Sequence, residues 1–214
     1  RLYGWGTDRL LMFHKEAEIN FVYSTSNAGN MISKVHQDLE GSLNLKFTGS
    51  INPNVDVLFL CLGHGNSMKF LEANTFSNKT KIIDLGNDFR LLKDQQFGDK
   101  TFVYGLPELQ RDLIKKAHYI ANPGCFATAI QLALLPLAHH NLIKNDVHVN
   151  AVTGSTGAGT SLSETTHFSW RDNNFSYYKP FTHQHLGEIN QSVKQLQNAF
   201  NSDILFMPNR GNFS

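Results

Sequence analysis

Val55-Asp56-Val57-Leu58-Phe59-Leu60-Cys61-Leu62 is apolar at nearly every position after its start. A half-buried strand alternates apolar and polar side chains, so an unbroken run predicts a strand covered on both faces, at the centre of a sheet. Shorter runs flank it: Ile19 to Ser24 before, Lys81 to Leu85 and His118 to Ala121 after, with helix-sized gaps between them. That spacing predicts parallel strands joined by crossovers, an α/β fold.

The pattern changes near Asn122. Asn122-Pro123-Gly124-Cys125 marks a tight turn, and Phe126 to Leu135 is rich in helix formers and apolar almost all round, which predicts a buried helix. His148 to Thr153 reads as a strand, followed by a small-residue loop from Gly154 to Thr160. Ile189, Val193, Leu196 and Phe200 recur at helical spacing, one apolar stripe on a surface helix, and Ile204 to Met207 reads as a last strand. The break in the strand–helix alternation predicts two domains, 1–122 and 123–214.

Composition narrows the functional classes. With 41% hydrophobic and 17% charged residues, the 214-residue chain can build a core, which excludes disorder for most of it. Nineteen Lys and Arg against 18 Asp and Glu leave a net charge of +1, which argues against a nucleic-acid binder driven by bulk charge. No apolar stretch approaches the roughly 18 residues that span a bilayer, so no membrane role is expected. Two cysteines, Cys61 and Cys125, make no disulfide framework, which fits a cytoplasmic setting.

Chemistry concentrates around Cys125. Placed in the first turn of a helix, its thiol would meet unpaired N–H groups and the positive end of the helix dipole, which favour a thiolate nucleophile. A small hydrophobe packed under the turn is the competing reading, and Cys61, inside an apolar strand, reads as structural. His183-Gln184-His185, with Glu188 beyond, offers an acid/base partner for the thiol. A metal site, for which no fourth ligand at short spacing exists, and plain surface histidines are the alternatives. Gly154-Ser155-Thr156-Gly157-Ala158-Gly159-Thr160 could bring backbone N–H groups close to a phosphate or a nicotinamide amide, or be merely a turn. Arg90, in Asp88-Phe89-Arg90 after the Lys81 to Leu85 strand, could hold a phosphate or carboxylate, or pair with Asp88 or Asp94.

Five segments in this order carry a resemblance. They are Asp84-Leu85-Gly86-Asn87-Asp88-Phe89-Arg90-Leu91, Tyr104-Gly105-Leu106-Pro107-Glu108-Leu109, Asn122-Pro123-Gly124-Cys125, Ser155-Thr156-Gly157-Ala158-Gly159 and His183-Gln184-His185-Leu186-Gly187-Glu188-Ile189. Together they resemble the N-acetyl-γ-glutamyl-phosphate reductase family of arginine biosynthesis, a relative of aspartate-semialdehyde dehydrogenase, from about Glu16 to Ser214. The resemblance implies a Rossmann-type parallel-sheet NADP domain joined to an α+β semialdehyde-dehydrogenase-like catalytic domain, the latter incomplete in this chain. It implies Cys125 as nucleophile and His185 as acid/base, acting on a small-molecule acyl phosphate. Arg90, His183, Glu188 and Tyr177 or Tyr178 would surround the substrate. Ser24, Ser26, His64, Gly65, Ser155, Gly157, Ala158 and Gly159 would line the NADP, with no metal and a homo-oligomeric assembly.

Three departures accompany it. Arg1 to Leu10 shows only Gly4 and Gly6, without the first strand and Gly-rich turn of the family. Gln184 and Gly187 stand where the family usually has Arg and Pro, and by the resemblance the C-terminal part of the catalytic domain is expected to lie outside these 214 residues. An aspartate-semialdehyde dehydrogenase, or a Cys-His acyl hydrolase or transferase, are the alternative functions.

Overall fold

The computed structural model describes residues 2–159 and 163–213; Thr160 of the small-residue loop lies outside them. Helix α1 (Leu2–Met12) comes first, then strand β1 (Val22–Tyr23), one helical turn α2 (Ile32–Val35) and strand β2 (Phe47–Thr48). Strand β3 (Val57–Leu60), helix α3 (Ser67–Ala73) and strand β4 (Lys81–Asp84) follow as one strand–helix–strand unit. A hairpin of β5 (Gln96–Phe97) and β6 (Lys100–Thr101) precedes β7 (Val103–Tyr104), helix α4 (Pro107–Lys116) and β8 (Tyr119–Ala121). β1 and β2 pair in parallel, and β3, β4, β8 and β7 form a second parallel sheet in that order. Leu58, Leu60, Ile82 and Ala121 pack with Phe89 and Phe102, whose rings stack at 4.0 Å, in its core.

One expectation fails here. β3 is an edge of its four-stranded sheet rather than its centre. A cleft of about 960 Å³ runs along that edge, lined by Val57 to Leu60, by Val22 and Tyr23 of β1, and by Gly4 and Asp8 of α1. Apolar patterning predicts cover on both faces, yet only the face of Leu58 and Leu60 is buried; Val57, on the other face and lining the cleft, is 41% exposed. The pattern is also blind to whether the edge is hydrogen-bonded. The cleft stands where a doubly wound sheet carries its first strand.

The second half is a sheet with helices on one face. Its elements are helix α5 (Cys125–His139), strand β9 (Val147–Gly154), the short α6 (Phe168–Arg171), β10 (Ser176–Tyr177), helix α7 (His185–Leu196) and β11 (Ile204–Gly211). β11 is central, parallel to β9 from Ile204↔Val147 to Gly211↔Gly154 and antiparallel to β10. Phe126, Ile130 and Leu134 of α5 meet Ile189 and Val193 of α7 over Phe206. Ile189 and Val193 of the predicted stripe are thus the core face of α7, which ends at Leu196 so that Phe200 enters the core from beyond it, and α5 runs past Pro136, which faces outward, because Leu135 and Ala138 remain buried. The opposite sheet face is open, with His148, Asn150 and Val152 exposed.

Candidate active site

Cys125 is the first residue of α5 and its side chain is exposed. The turn that presents it is gripped by side chains from distant parts of the chain. Glu188 Oε2 accepts from the Gly124 N–H at 2.9 Å, and Arg90 Nε donates to the Asn122 carbonyl at 2.8 Å. Arg90 Nη1 pairs with Glu188 Oε1 at 3.1 Å while Nη2 donates to Leu85 O, so each guanidinium nitrogen makes one bond to the protein. Tyr104 donates its hydroxyl to Glu188 Oε2 at 2.9 Å and accepts from Gln131 Nε2 at 2.7 Å. Burial, together with the neighbouring Glu188 charge, raises the Tyr104 phenol and keeps it a donor.

His185 opens α7 and is buried. Its imidazole lies directly on Gly124: a Cβ there would overlap the ring, Nε2 first. Nε2 is also 4.0 Å from Glu188 Oε1. This close approach explains why glycine precedes the cysteine; the φ of Gly124 is −68°, so the need is for space and not for a left-handed backbone. Gly124→Ala should push the imidazole off the Cys125 turn. Since a displacement of about 1 Å can cost roughly 10²-fold in rate, turnover should fall by about that factor with the fold intact, checked by steady-state kinetics beside a circular dichroism spectrum.

His183 supports His185 from behind. Its Nδ1 accepts the His185 backbone N–H at 3.2 Å, and the two rings meet edge to face at 4.6 Å. Burial lowers His185 to about 4, helped by Arg90 and His64; burial also lowers His183 to about 4, helped by His185 and Lys179. Both imidazoles are therefore neutral near pH 7, and His185 is free to accept a proton. Because both folded values lie below the reference 6.5, the unfolded chain binds more protons between 6.5 and 4. Stability should be full above pH 6.5 and decline as the pH falls toward 4. Urea midpoints at pH 7.5, 6 and 5 check this, and His183→Phe should flatten the decline.

The remaining expected residues fall into two groups. Tyr178, not Tyr177, faces the histidines: its ring is 5.7 Å from that of His183, whereas Tyr177 is 65% exposed on the opposite side of the strand. Arg90 and Glu188, expected against substrate, are buried partners that hold the turn, with Arg90 donating to Asn122 O, Glu188 Oε1 and Leu85 O. Asp88 is not its partner; Asp88 accepts from Gly65 N at 2.9 Å and Met68 N at 3.3 Å, joining the loop after β3 to the start of α3. Tyr104 and Gln131 had no assigned role in the sequence, although Tyr104 opens one of the resembling segments.

The residues expected around a nicotinamide dinucleotide stand at the carboxyl ends of the parallel strands. Ser24 and Ser26 follow β1 with hydroxyls 3.4 Å apart and no carboxylate in residues 24–27, a donor set that fits a ribose 2′-phosphate. Gly63, His64 and Gly65 follow β3, with both glycines at positive φ. Ser155 to Ala158 form one tight turn after β9, and Ser155 Oγ donates to Gly211 O at 2.9 Å. Gly159 adopts φ 78°, which suits only glycine well. Among the described residues no group of three or more His, Cys, Asp or Glu could hold a metal ion, and His139 and His140 are exposed at the far end of α5.

Residues 7–117 match a family model described as semialdehyde dehydrogenase, NAD binding domain, and residues 125–214 one described as semialdehyde dehydrogenase, dimerisation domain. A Flavobacterium johnsoniae protein named N-acetyl-gamma-glutamyl-phosphate reductase is 66% identical over 205 residues, covering 96% of this chain and 63% of that protein. A Christiangramia forsetii protein of the same name is 62% identical over 206 residues, with the same coverage of 96% and 63%. The chain thus spans about 63% of the length of these relatives. Among solved structures, aspartate semialdehyde dehydrogenase II from Vibrio cholerae shares the fold at TM-score 0.62 and 15% identity, covering 97% of this chain and 67% of that one. Aspartate semialdehyde dehydrogenase with NADP from Candida albicans does so at TM-score 0.57 and 14% identity, covering 95% and 63%.

Proposed function

This chain belongs to the semialdehyde dehydrogenase family, and on that premise we propose that its site reduces an N-acylated γ-glutamyl phosphate to the corresponding semialdehyde, with NADPH, in arginine biosynthesis. The observation that carries this reading is the imidazole of His185 seated on Gly124, beside the exposed thiol of Cys125. The names of relatives at 66% and 62% identity support the substrate.

His185, neutral near pH 7 and with Nε2 against the Gly124 turn, takes the thiol proton. The sulfur of Cys125 attacks the acyl carbon, the C–S bond forms as the C–O bond to phosphate breaks, and inorganic phosphate leaves a thioester on Cys125. Held by the residues named below, a nicotinamide cofactor would supply the hydride that the reduction needs. The imidazolium of His185 then holds a proton where negative charge collects on the substrate oxygen, and the sulfur leaves as the aldehyde forms. Ser24 and Ser26 would hold the 2′-phosphate, His64 and Gly65 the length of the cofactor, and Ser155 to Gly159 its nicotinamide end. Residues 1–122 make the cofactor domain and 123–214 the catalytic domain in this proposal. The open face of the β9–β11–β10 sheet is where a homo-oligomer forms, and a reducing cytoplasm keeps both thiols free.

The reverse reaction tests the substrate assignment. With N-acetylglutamate semialdehyde, inorganic phosphate and NADP, absorbance at 340 nm should rise only when phosphate is present. A preference for aspartate semialdehyde, or acyl release without any nicotinamide, contradicts the assignment.

A further inference from the structure

The charge of Arg90 is matched by Glu188 at 3.1 Å, and the fold places a second cation, without a carboxylate partner among the described residues, at the end of β11. Ile204 and Phe206 point from this strand into the core beneath α5 and α7. Strand alternation carries the same face through Pro208 to Arg210. Arg210 lies opposite Thr153 of β9 and Ser176 of β10, one residue before the register reaches Gly154 and the small-residue turn. It therefore stands between that turn and the histidines.

Its surroundings are built rather than incidental. The guanidinium carbon lies 4.2 Å from the centroid of the Tyr178 ring. Tyr178 is fixed by its N–H donating to Pro208 O at 3.0 Å and by edge contact with His183, which meets His185 in turn. Buried Arg171 donates from Nη1 to the Arg210 carbonyl at 3.2 Å and holds the backbone from behind. Among the described residues no carboxylate stands within ion-pair distance of Arg210, and its Nε is buried without a hydrogen-bond partner. A half-buried guanidinium held over an aromatic ring and lacking a counter-ion among the described residues has a planar fork suited to a carboxylate or a phosphate.

We propose that Arg210, braced by Tyr178 and Arg171, is the group that binds an oxyanion of the substrate beside Cys125. This rests on the acyl-phosphate reading above for the identity of that oxyanion, because an N-acylated γ-glutamyl phosphate carries two: the phosphate on its reacting carbonyl and its α-carboxylate. The cation itself would also draw any small anionic electrophile to the thiol, whether or not the chain reduces anything.

Alkylation of Cys125, followed by peptide mass spectrometry, separates the two claims. Anionic iodoacetate and neutral iodoacetamide are compared on the full chain and on Arg210→Gln and Arg210→Lys, with thermal melts confirming that the variants fold. Because a hydrogen bond to a charged group is among the stronger ones, the iodoacetate-to-iodoacetamide rate ratio should fall by about tenfold or more in Arg210→Gln and much less in Arg210→Lys. An unchanged ratio in folded Arg210→Gln overturns the proposal. Protection of the thiol from iodoacetamide then identifies the oxyanion. Loss of protection by N-acetylglutamate in Arg210→Gln assigns Arg210 to the α-carboxylate, and loss of protection by inorganic phosphate assigns it to the leaving group. Loss of neither, where the full chain is protected, also overturns it. Failure of the substrate assignment shows separately, as no phosphate-dependent reduction of NADP.

Discussion

Cys125→Ser is expected to abolish reduction, by a factor on the order of 10³ or more, because an oxygen nucleophile of ordinary basicity replaces the attacking sulfur and no thioester can form. The fold should be untouched: the Cys125 side chain is exposed and makes no hydrogen bond among the described residues on which the turn depends. Cys61→Ser is the control. Cys61 sits at the end of β3 beside Thr7, its thiol raised by burial. Its replacement should leave turnover within a few-fold. Equal loss in both variants, measured by initial rates at matched thermal stability, would remove Cys125 from the chemistry.

Glu188→Gln should give the second large effect, and it acts through position. The carboxylate is buried between Arg90, Tyr104 and the Gly124 N–H, so neutralising it leaves the Arg90 guanidinium charged and unpaired in the interior. Removing one partner of a buried pair costs about 3–5 kcal/mol. For a chain of this size that corresponds to a melting point lower by on the order of 10 °C. Activity should fall further than stability alone accounts for, because the same carboxylate fixes Gly124 and stands 4.0 Å from His185 Nε2. The double variant Arg90→Met/Glu188→Leu separates the two roles. With both charges gone it should regain much of the lost melting temperature, while kcat stays depressed because the grip on Asn122 O and Gly124 N is still absent. Full recovery of kcat would show the bracket to be structural only.

What was legible in the sequence was what is local. The Asn122 to Cys125 turn, the helix after it and the two histidines spaced two residues apart each declare themselves within a few positions, and the structure brings Gly124 and His185 into contact. The parallel strands were legible because apolar runs report burial. Partnerships across long separations were not: Arg90 and Glu188 are 98 residues apart, and a charged residue near a motif looks the same whether it will meet substrate or another charge. Tyr177 and Tyr178 differ only by which face of the chain each occupies, and that parity is set by the pairing of β10 with β11. The edge position of β3 escaped for a similar reason, since hydrogen bonding along an edge leaves no mark on hydrophobic pattern. Arg210 was visible only as a residue near the last strand until the ring of Tyr178 beneath it and the absence of any acidic partner among the described residues gave it a role.

The central claim is a covalent acyl-enzyme on one sulfur, and a half-reaction without nicotinamide reads it directly. Freshly prepared N-acetyl-γ-glutamyl phosphate, mixed with the full chain and quenched in acid, should release about one phosphate per chain and leave one N-acetylglutamyl group on the peptide that begins α5, at Cys125. His185→Ala should slow this burst without moving the adduct. An adduct on Cys61, or a phosphate burst that persists in Cys125→Ser, would contradict the account.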